Sequence, residues 1–197
     1  MSDSTRTSIL FASSNRHKTA EIQALLGENF IVSDLSSRDG FQPPEENGDT
    51  FEANALIKAV AAAAHASGPV IADDSGLEVD ALSGAPGIHT ARFAGINATD
   101  RQNREKLIAS LSGQPNRNAR FVCVLALIKP GHPAKLFRGE IRGSIALTES
   151  GMGGFGYDPL FVPSGCSESF AELAPEMKNT LSHRAMAVQK LLRSGSL

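Results

Sequence analysis

Val70-Ile71-Ala72 runs without a break into Asp73-Asp74-Ser75-Gly76-Leu77, so two carboxylates, a hydroxyl and a glycine follow directly on an apolar segment. That order predicts chemistry at the end of a strand. Adjacent acidic side chains on extended backbone point to opposite faces, so one can face a cleft while the other anchors the turn or reaches a metal. Two neighbouring anions repel unless a cation or hydrogen-bond donors compensate. Mg²⁺ suits that role, because it takes oxygen ligands, keeps several waters and often links one or two carboxylates to substrate phosphates. The competing reading is an ordinary strand-to-turn junction, in which Asp, Ser and Gly serve local hydrogen bonds.

Four other groups carry possible chemistry. Ser13-Ser14-Asn15-Arg16-His17-Lys18 precedes a helical pattern, where exposed backbone N–H groups and the helix dipole favour an anion and Lys18 adds a mobile positive charge. It lacks the glycines of a Walker A loop, and an ordinary N-cap with a solvated lysine accounts for the same residues. Gly151-Met152-Gly153-Gly154-Phe155-Gly156 satisfies GxGxxG by letter, but Tyr157-Asp158-Pro159 follows. Pro159 pushes Asp158 away from the helical angles a dinucleotide fingerprint needs. A loop that stacks Phe155 on a base and offers the Asp158 carboxylate to N–H groups fits better, against a glycine-rich turn whose aromatics join the core. Lys178 stands before Ser182-His183-Arg184. If Ser182 caps a helix, His183 and Arg184 place cations in its first turn, where the dipole disfavours them. Either an anionic or carbonyl-bearing ligand or a nearby acid must compensate. Glu45-Glu46 lies in a Pro-rich loop, solvated unless the fold brings Glu45 to Asp74.

The elements that must position these groups follow from local pattern. Ser8 to Ala12 reads as a buried strand, followed by a helix with Ile22, Leu25 and Leu26 on one face and Gly27 at its end. Phe30 to Gly48 reads as an extended or looped passage with one short strand at Ile31-Val32. Asp49 and Glu52 have N-cap and N3 spacing before the alanine-rich run from Ala53 to Ala66, whose packed face is Phe51, Ala55, Leu56, Ala59 and Ala62. After a rigid turn at Gly84-Ala85-Pro86-Gly87, Thr99 and Gln102 form a capping box for a helix with Leu107, Ile108 and Leu111 inward and Gly113 at its end. Phe121 to Ile128, turn residues 129–133 and Lys135 to Ala146 read as a hairpin. Pro159 to Val162 is a strand, and Ser182 to Arg193 a helix with Ala185, Val188, Leu191 and Leu192 on its apolar face.

Composition bounds the class. With 197 residues, 41% of them hydrophobic, the chain can bury a sizeable core without disulfides. Cys123 and Cys166 sit in no metal or redox spacing, which suits a reducing, cytoplasmic setting. The segment Met1 to Thr7 has no apolar region of a signal peptide, and no apolar stretch reaches membrane-spanning length. A formal net charge of −2 and no long basic run argue against a nucleic-acid partner, so any phosphate recognition is local.

In this order the motifs resemble the non-canonical purine nucleoside triphosphate pyrophosphatases, the inosine/xanthosine triphosphatase family of Ham1-like proteins. The markers are Ser13, Asn15 and Lys18; Glu45-Glu46; Phe51, Asn54, Ala55 and Lys58; Ala72 to Leu77; Gly84 to Ile88 with Ala91-Arg92; Gly153 to Pro159; Lys178; and Ser182 to Arg184. The resemblance covers Ile9 to about Leu192. It implies an α/β fold, a long mixed central sheet flanked by helices, with two lobes, an active cleft between them and a homodimer. Residues 1–197 then form one domain. It further implies hydrolysis of ITP, dITP, XTP and dXTP at the α-phosphate to monophosphate and pyrophosphate. Ser13, Ser14, Asn15, Arg16, His17 and Lys18 match the triphosphate-binding loop, Asp74 the catalytic base and a Mg²⁺ ligand, Glu45 the second ligand, and Ser75 a substrate contact. Phe155, Gly156, Tyr157 and Asp158 match the base-binding loop, and Lys178, His183 and Arg184 the residues that grip the nucleotide and select a 6-keto purine. Asp73 and Lys58 are matched without a defined role. Ser14 replaces a frequent glycine, and Ala53 stands where an acid often precedes Asn54. A related-fold pyrophosphatase for other modified nucleotides and a non-hydrolytic nucleotide-binding regulator are the alternatives.

Overall fold

The computed structural model describes residues 6–37 and 40–197; most of the polar N-terminal segment, residues 1–5, and residues 38–39 of the long loop lie outside them. Strand β1 (Thr7–Phe11) leads through a short loop into α1 (Arg16–Leu26), capped by Asn15 and ended at Gly27 in the left-handed region. β2 (Phe30–Asp34) follows, then the long loop and α2 (Phe51–Ala63). β3 (Val70–Val79) and a 3-10 turn over Gly87–Arg92 precede α3 (Asp100–Ser110). The hairpin strands are β4 (Asn118–Ile128) and β5 (Lys135–Ile145), then come β6 (Phe161–Pro163), α4 (Pro175–Leu181) and α5 (His183–Arg193).

The strands form a six-stranded sheet in the order β2-β1-β3-β4-β5-β6. β1 is parallel to both β2 and β3, whereas β5 and β6 are antiparallel, so the sheet is mixed and the α/β expectation holds. The chain divides into two compact units, one of Met1–Asp74, Cys123–Gly139 and Arg184–Leu197, the other of Ser75–Val122 and Glu140–His183. In the first unit, Ile9, Phe11, Ile71, Cys123, Leu125 and Leu127 are alternate strand residues, so all face one side. There they bury Ile22 and Leu26 of α1 and Ala187, Val188 and Leu191 of α5. In the second unit, Leu77, Val79, Phe121, Ile145 and Phe161 pack with Leu107 and Leu111 of α3 and with Tyr157, Leu160 and Phe170.

Three local expectations are corrected. Asp49 does not cap α2: the Thr50 hydroxyl accepts from Ala53 N–H, and Glu52 pairs instead with Arg138 at 2.8 Å. Capping at Thr50 starts the helix on Phe51, whose ring is buried, and makes Ala53 the N3 residue where a carboxylate would complete a capping box. The strand does not end at Ala72. β3 continues through both acids to Val79, because each carboxylate finds a cation and so need not turn towards water. Finally, α4 has no counterpart in the periodicity, since seven residues opened by Pro175 are too short to show one. The Thr99 and Gln102 capping box is present in both directions, and both cysteines are free, Cys123 fully buried.

Candidate active site

Strand alternation separates the two acids of β3. Asp73 continues the parity of Ile71 and so lies on the side of α1 and α5. Lys18 of α1 approaches its carboxylate at 3.0 Å and Arg184 of α5 at 3.1 Å, with Arg184 itself 1% exposed. The other side of the Arg184 guanidinium is held by Glu21, one turn beyond Lys18 on α1. Burial pushes the Asp73 carboxyl up, but Lys18, Arg184 and Lys58 outweigh it and hold the group well below the usual carboxylate range. Arg184 stays charged for the reciprocal reason: Asp73 and Glu21 overcome the cost of its burial. The cation at the start of α5 is therefore compensated by acids of the protein.

A carboxylate with a lowered folded-state value contributes stability that is complete above the unfolded value, about 3.9, and is lost as the pH falls towards the folded one. The difference in melting temperature between the wild type and Asp73→Asn should accordingly be constant above about pH 5 and shrink below about pH 4. Thermal unfolding across pH 3–7 measures it; a difference that widens towards acid would contradict the assignment.

Asp74 points the other way, and its Oδ1 accepts from Lys58 of α2 at 2.8 Å. The same ammonium reaches Glu46 at 3.2 Å. Asp74 Oδ2 is buried without a hydrogen-bond partner. Burial pushes this carboxyl up to about 6, against the pull of Lys58 and with added push from Glu46 and Asp73. Lys58, burdened by burial, is in turn held protonated by Asp73, Asp74 and Glu46. Of the acid pair in the loop, Glu46 is the one linked to Asp74, through Lys58, while Glu45 is exposed. Among the described residues no three His, Cys, Asp or Glu side chains gather as a metal site. A buried carboxylate oxygen lacking a donor nevertheless fits a hard cation whose remaining ligands are water and substrate phosphate.

Ser13 to His17 form the exposed entry to α1, with Ser13 half-buried. Much of the donor capacity there is turned inward: Asn15 N–H donates to Ser13 Oγ, and His17 and Lys18 N–H both donate to Asn15 Oδ1. Lys18 is an ion-pair partner here, not a solvated charge.

The second unit carries the other set. Asp158 Oδ2 accepts from Phe155 N–H at 2.9 Å and from Lys178 Nζ at 2.7 Å, and Lys178 lies 5.2 Å from the centre of the Phe155 ring. One buried pair thus fixes the loop and presents the ring. Tyr157 is buried, its hydroxyl donating to Thr90 O, so it packs instead of facing solvent. His183 stacks on Phe121 at 4.8 Å, and Ser75 is half-buried on β3. Gly154 has φ +70, and a Cβ there would meet Asp158 Oδ2 at 2.1 Å; Gly156, at φ +61, has open space. Gly154→Ala should therefore raise KM for the substrate well beyond Gly156→Ala if this loop contacts it, although both substitutions carry a similar backbone strain of about 1–2 kcal/mol. Equal KM values in steady-state kinetics would mean that Asp158 does not position the loop.

Lys58 and Glu21 gained roles the sequence did not assign. Lys58 lies four residues beyond Asn54, and Glu21 three beyond Lys18, so in each case helical spacing alone places the pair on one face.

Comparison with known proteins bears on what these clusters serve. Residues 9–194 match the model of the Ham1 family. A protein of Exiguobacterium sp. named dITP/XTP pyrophosphatase is 44% identical over 93% of this chain and 94% of its own. Another of that name, from Geobacter sulfurreducens, is 45% identical over 94% of each chain. The solved structure of the Staphylococcus aureus Ham1 protein superposes with a TM-score of 0.85 at 40% identity, covering 97% of this chain and 100% of that one.

Proposed function

Since this chain belongs to the Ham1 family, we propose that its polar clusters serve a nucleotide, the residues around Ser13 to Lys18 and Asp74 taking polyphosphate and the loop from Phe155 to Asp158 the base. The chain is a hydrolase of acid anhydrides: it converts ITP, dITP, XTP and dXTP to monophosphate and pyrophosphate. Residues 1–197 act as a single domain in this reading.

The observation that carries the catalytic assignment is the half-satisfied Asp74. Lys58 fixes Oδ1, so Oδ2 is the atom available to orient a water and take its proton. A carboxyl raised towards neutrality is a better base than an ordinary one and is still largely ionised at pH 7. The water oxygen bonds to the α-phosphorus, the bond to the bridging oxygen breaks, and pyrophosphate leaves with its electron pair. Lys18 and the loop from Ser13 to His17 stabilise that leaving group, with Ser75 contacting substrate. Asp74 and Glu45 would hold Mg²⁺, whose chemistry is to neutralise the phosphate charge.

Phe155 stacks on the base, in a loop formed with Gly156, Tyr157 and Asp158. Lys178 and His183 donate to O6, and Arg184, its charge matched by Asp73 and Glu21, is the third residue of that grip. Adenine, with an amino group at that position, would leave those donors unpaired. A homodimer in a reducing cytoplasm is part of this proposal, a setting that the two free cysteines would suit. Among the described residues no helix is long and apolar enough to cross a membrane.

Pyrophosphate release across ITP, dITP, XTP, GTP and ATP, with and without Mg²⁺, tests the reading. Preference for dITP and XTP by about a hundredfold or more in kcat/KM, lost without Mg²⁺, is expected. Equal use of ATP would overturn the base assignment, and absence of pyrophosphate under all conditions would favour a binding regulator.

A further inference from the structure

Gly156 is gripped from α3 on both sides. Its N–H donates to Asp100 Oδ2 at 2.8 Å, and its carbonyl accepts from Arg104 Nη1 at 2.9 Å. Asp100 and Arg104 are four residues apart on one helix face, so a single rigid element holds the two peptide groups that flank this residue. The helix supports the arrangement in turn. Asp100 occupies the first turn, where a carboxylate suits the dipole, and Arg104 is steadied by Glu149 at 2.9 Å. Gly156 needs such a hold, because its left-handed φ and lack of a side chain leave its own conformation weakly determined. The residues on either side are the ones that matter: Phe155 beneath Lys178, and Tyr157, whose hydroxyl is pushed up by burial and by Asp100 against the pull of Arg104.

We infer that Asp100 and Arg104 are positioning residues for base selection: by clamping both peptide groups of Gly156, they set the plane in which the Phe155 ring and the Asp158–Lys178 pair meet the purine. The inference rests on the reading of residues 155–158 as the base-binding loop. A loop free to rotate about Gly156 would accept several purines comparably; a clamped one admits the base whose donors and acceptors match.

Asp100→Ala and Arg104→Met test this through KM, kcat and the preference for dITP over dATP, with melting temperature measured alongside. Each variant should raise KM for dITP about tenfold and lower the preference by a similar factor, with kcat within about twofold of wild type. Asp100→Asn, which keeps an oxygen to accept from Gly156 N–H, should restore most of both. Unchanged KM and preference, or a kcat that falls in step with melting temperature, would reduce the pair to a structural tether. A wild type that uses dITP and dATP equally overturns the base-binding reading and the inference with it. A wild type that discriminates, with variants that discriminate equally, overturns the inference alone.

Discussion

Asp74→Asn is expected to slow pyrophosphate release from dITP by about a thousandfold or more, with the melting temperature little changed. The amide keeps the shape of the side chain and an oxygen to accept from Lys58, so the strand and its helix contact survive. What it loses is basicity and charge at the second oxygen, the atom that has no donor in the folded protein. Nucleotide affinity should fall less than turnover, because Lys18, the α1 entry and the base loop are untouched by the change. Single-turnover kinetics with purified variant and dITP separates chemistry from binding. A wild-type single-turnover rate would remove Asp74 from the role of base, whatever its part in holding a cation. Lys58→Met gives an independent check. With Oδ1 also released, Asp74 has no fixed orientation, and the rate should drop although the carboxylate remains.

The second large effect concerns stability, and it falls on the neighbouring residue. Asp73→Ala leaves the buried Arg184 with Glu21 as its acid partner and withdraws the anion shared with Lys18. Breaking one side of a buried ion pair costs roughly 3–5 kcal/mol, since the charge left behind is poorly solvated. For a chain of this size that lowers the melting temperature by roughly 6–20 °C. Lys18, at 18% side-chain exposure, can swing towards water, whereas Arg184 cannot. The penalty therefore resides chiefly in the guanidinium, and Arg184→Met introduced together with Asp73→Ala should recover a coupling of about 1–3 kcal/mol. Thermal or urea unfolding of both single variants and the double variant measures the cycle. Strict additivity would show that Asp73 and Arg184 stabilise the fold independently.

These two neighbours also mark where the sequence was and was not legible. Elements set by nearby residues were readable: the capping box of Thr99 and Gln102, the glycine stop after Leu26, and the hairpin around residues 129–133 all follow from chemistry within a few positions. The course of β3 through two acids was not, because its cause lies far away. Arg184 is 111 residues from Asp73, and Lys18 is 55. No local window contains that compensation, so a turn was the reasonable expectation. The candidate site behaved similarly. Residue types placed the loop of Phe155 to Asp158 and the resemblance implied its company with Lys178, but only the fold shows that Asp158 is occupied with holding the loop. It also shows that Glu46 is the acid tied to Asp74 through Lys58. Thr50 displaced Asp49 as a cap for a reason the sequence did contain, since burying Phe51 at the first helical position decides where the helix begins.

The first unit is assembled from three separated stretches of chain, and its core joins Ile9, Phe11 and Ile22 to Ala187, Val188 and Leu191. During synthesis the amino-terminal strand and helix can cover each other only in part, and the rest of their shared apolar face stays open until α5 has left the ribosome. Asp73 waits as well, since Arg184 arrives in that same last stretch. Folding of this unit is therefore governed by closure of very long loops, and it should be slow and dependent on chaperones compared with a domain of equal size built from local contacts.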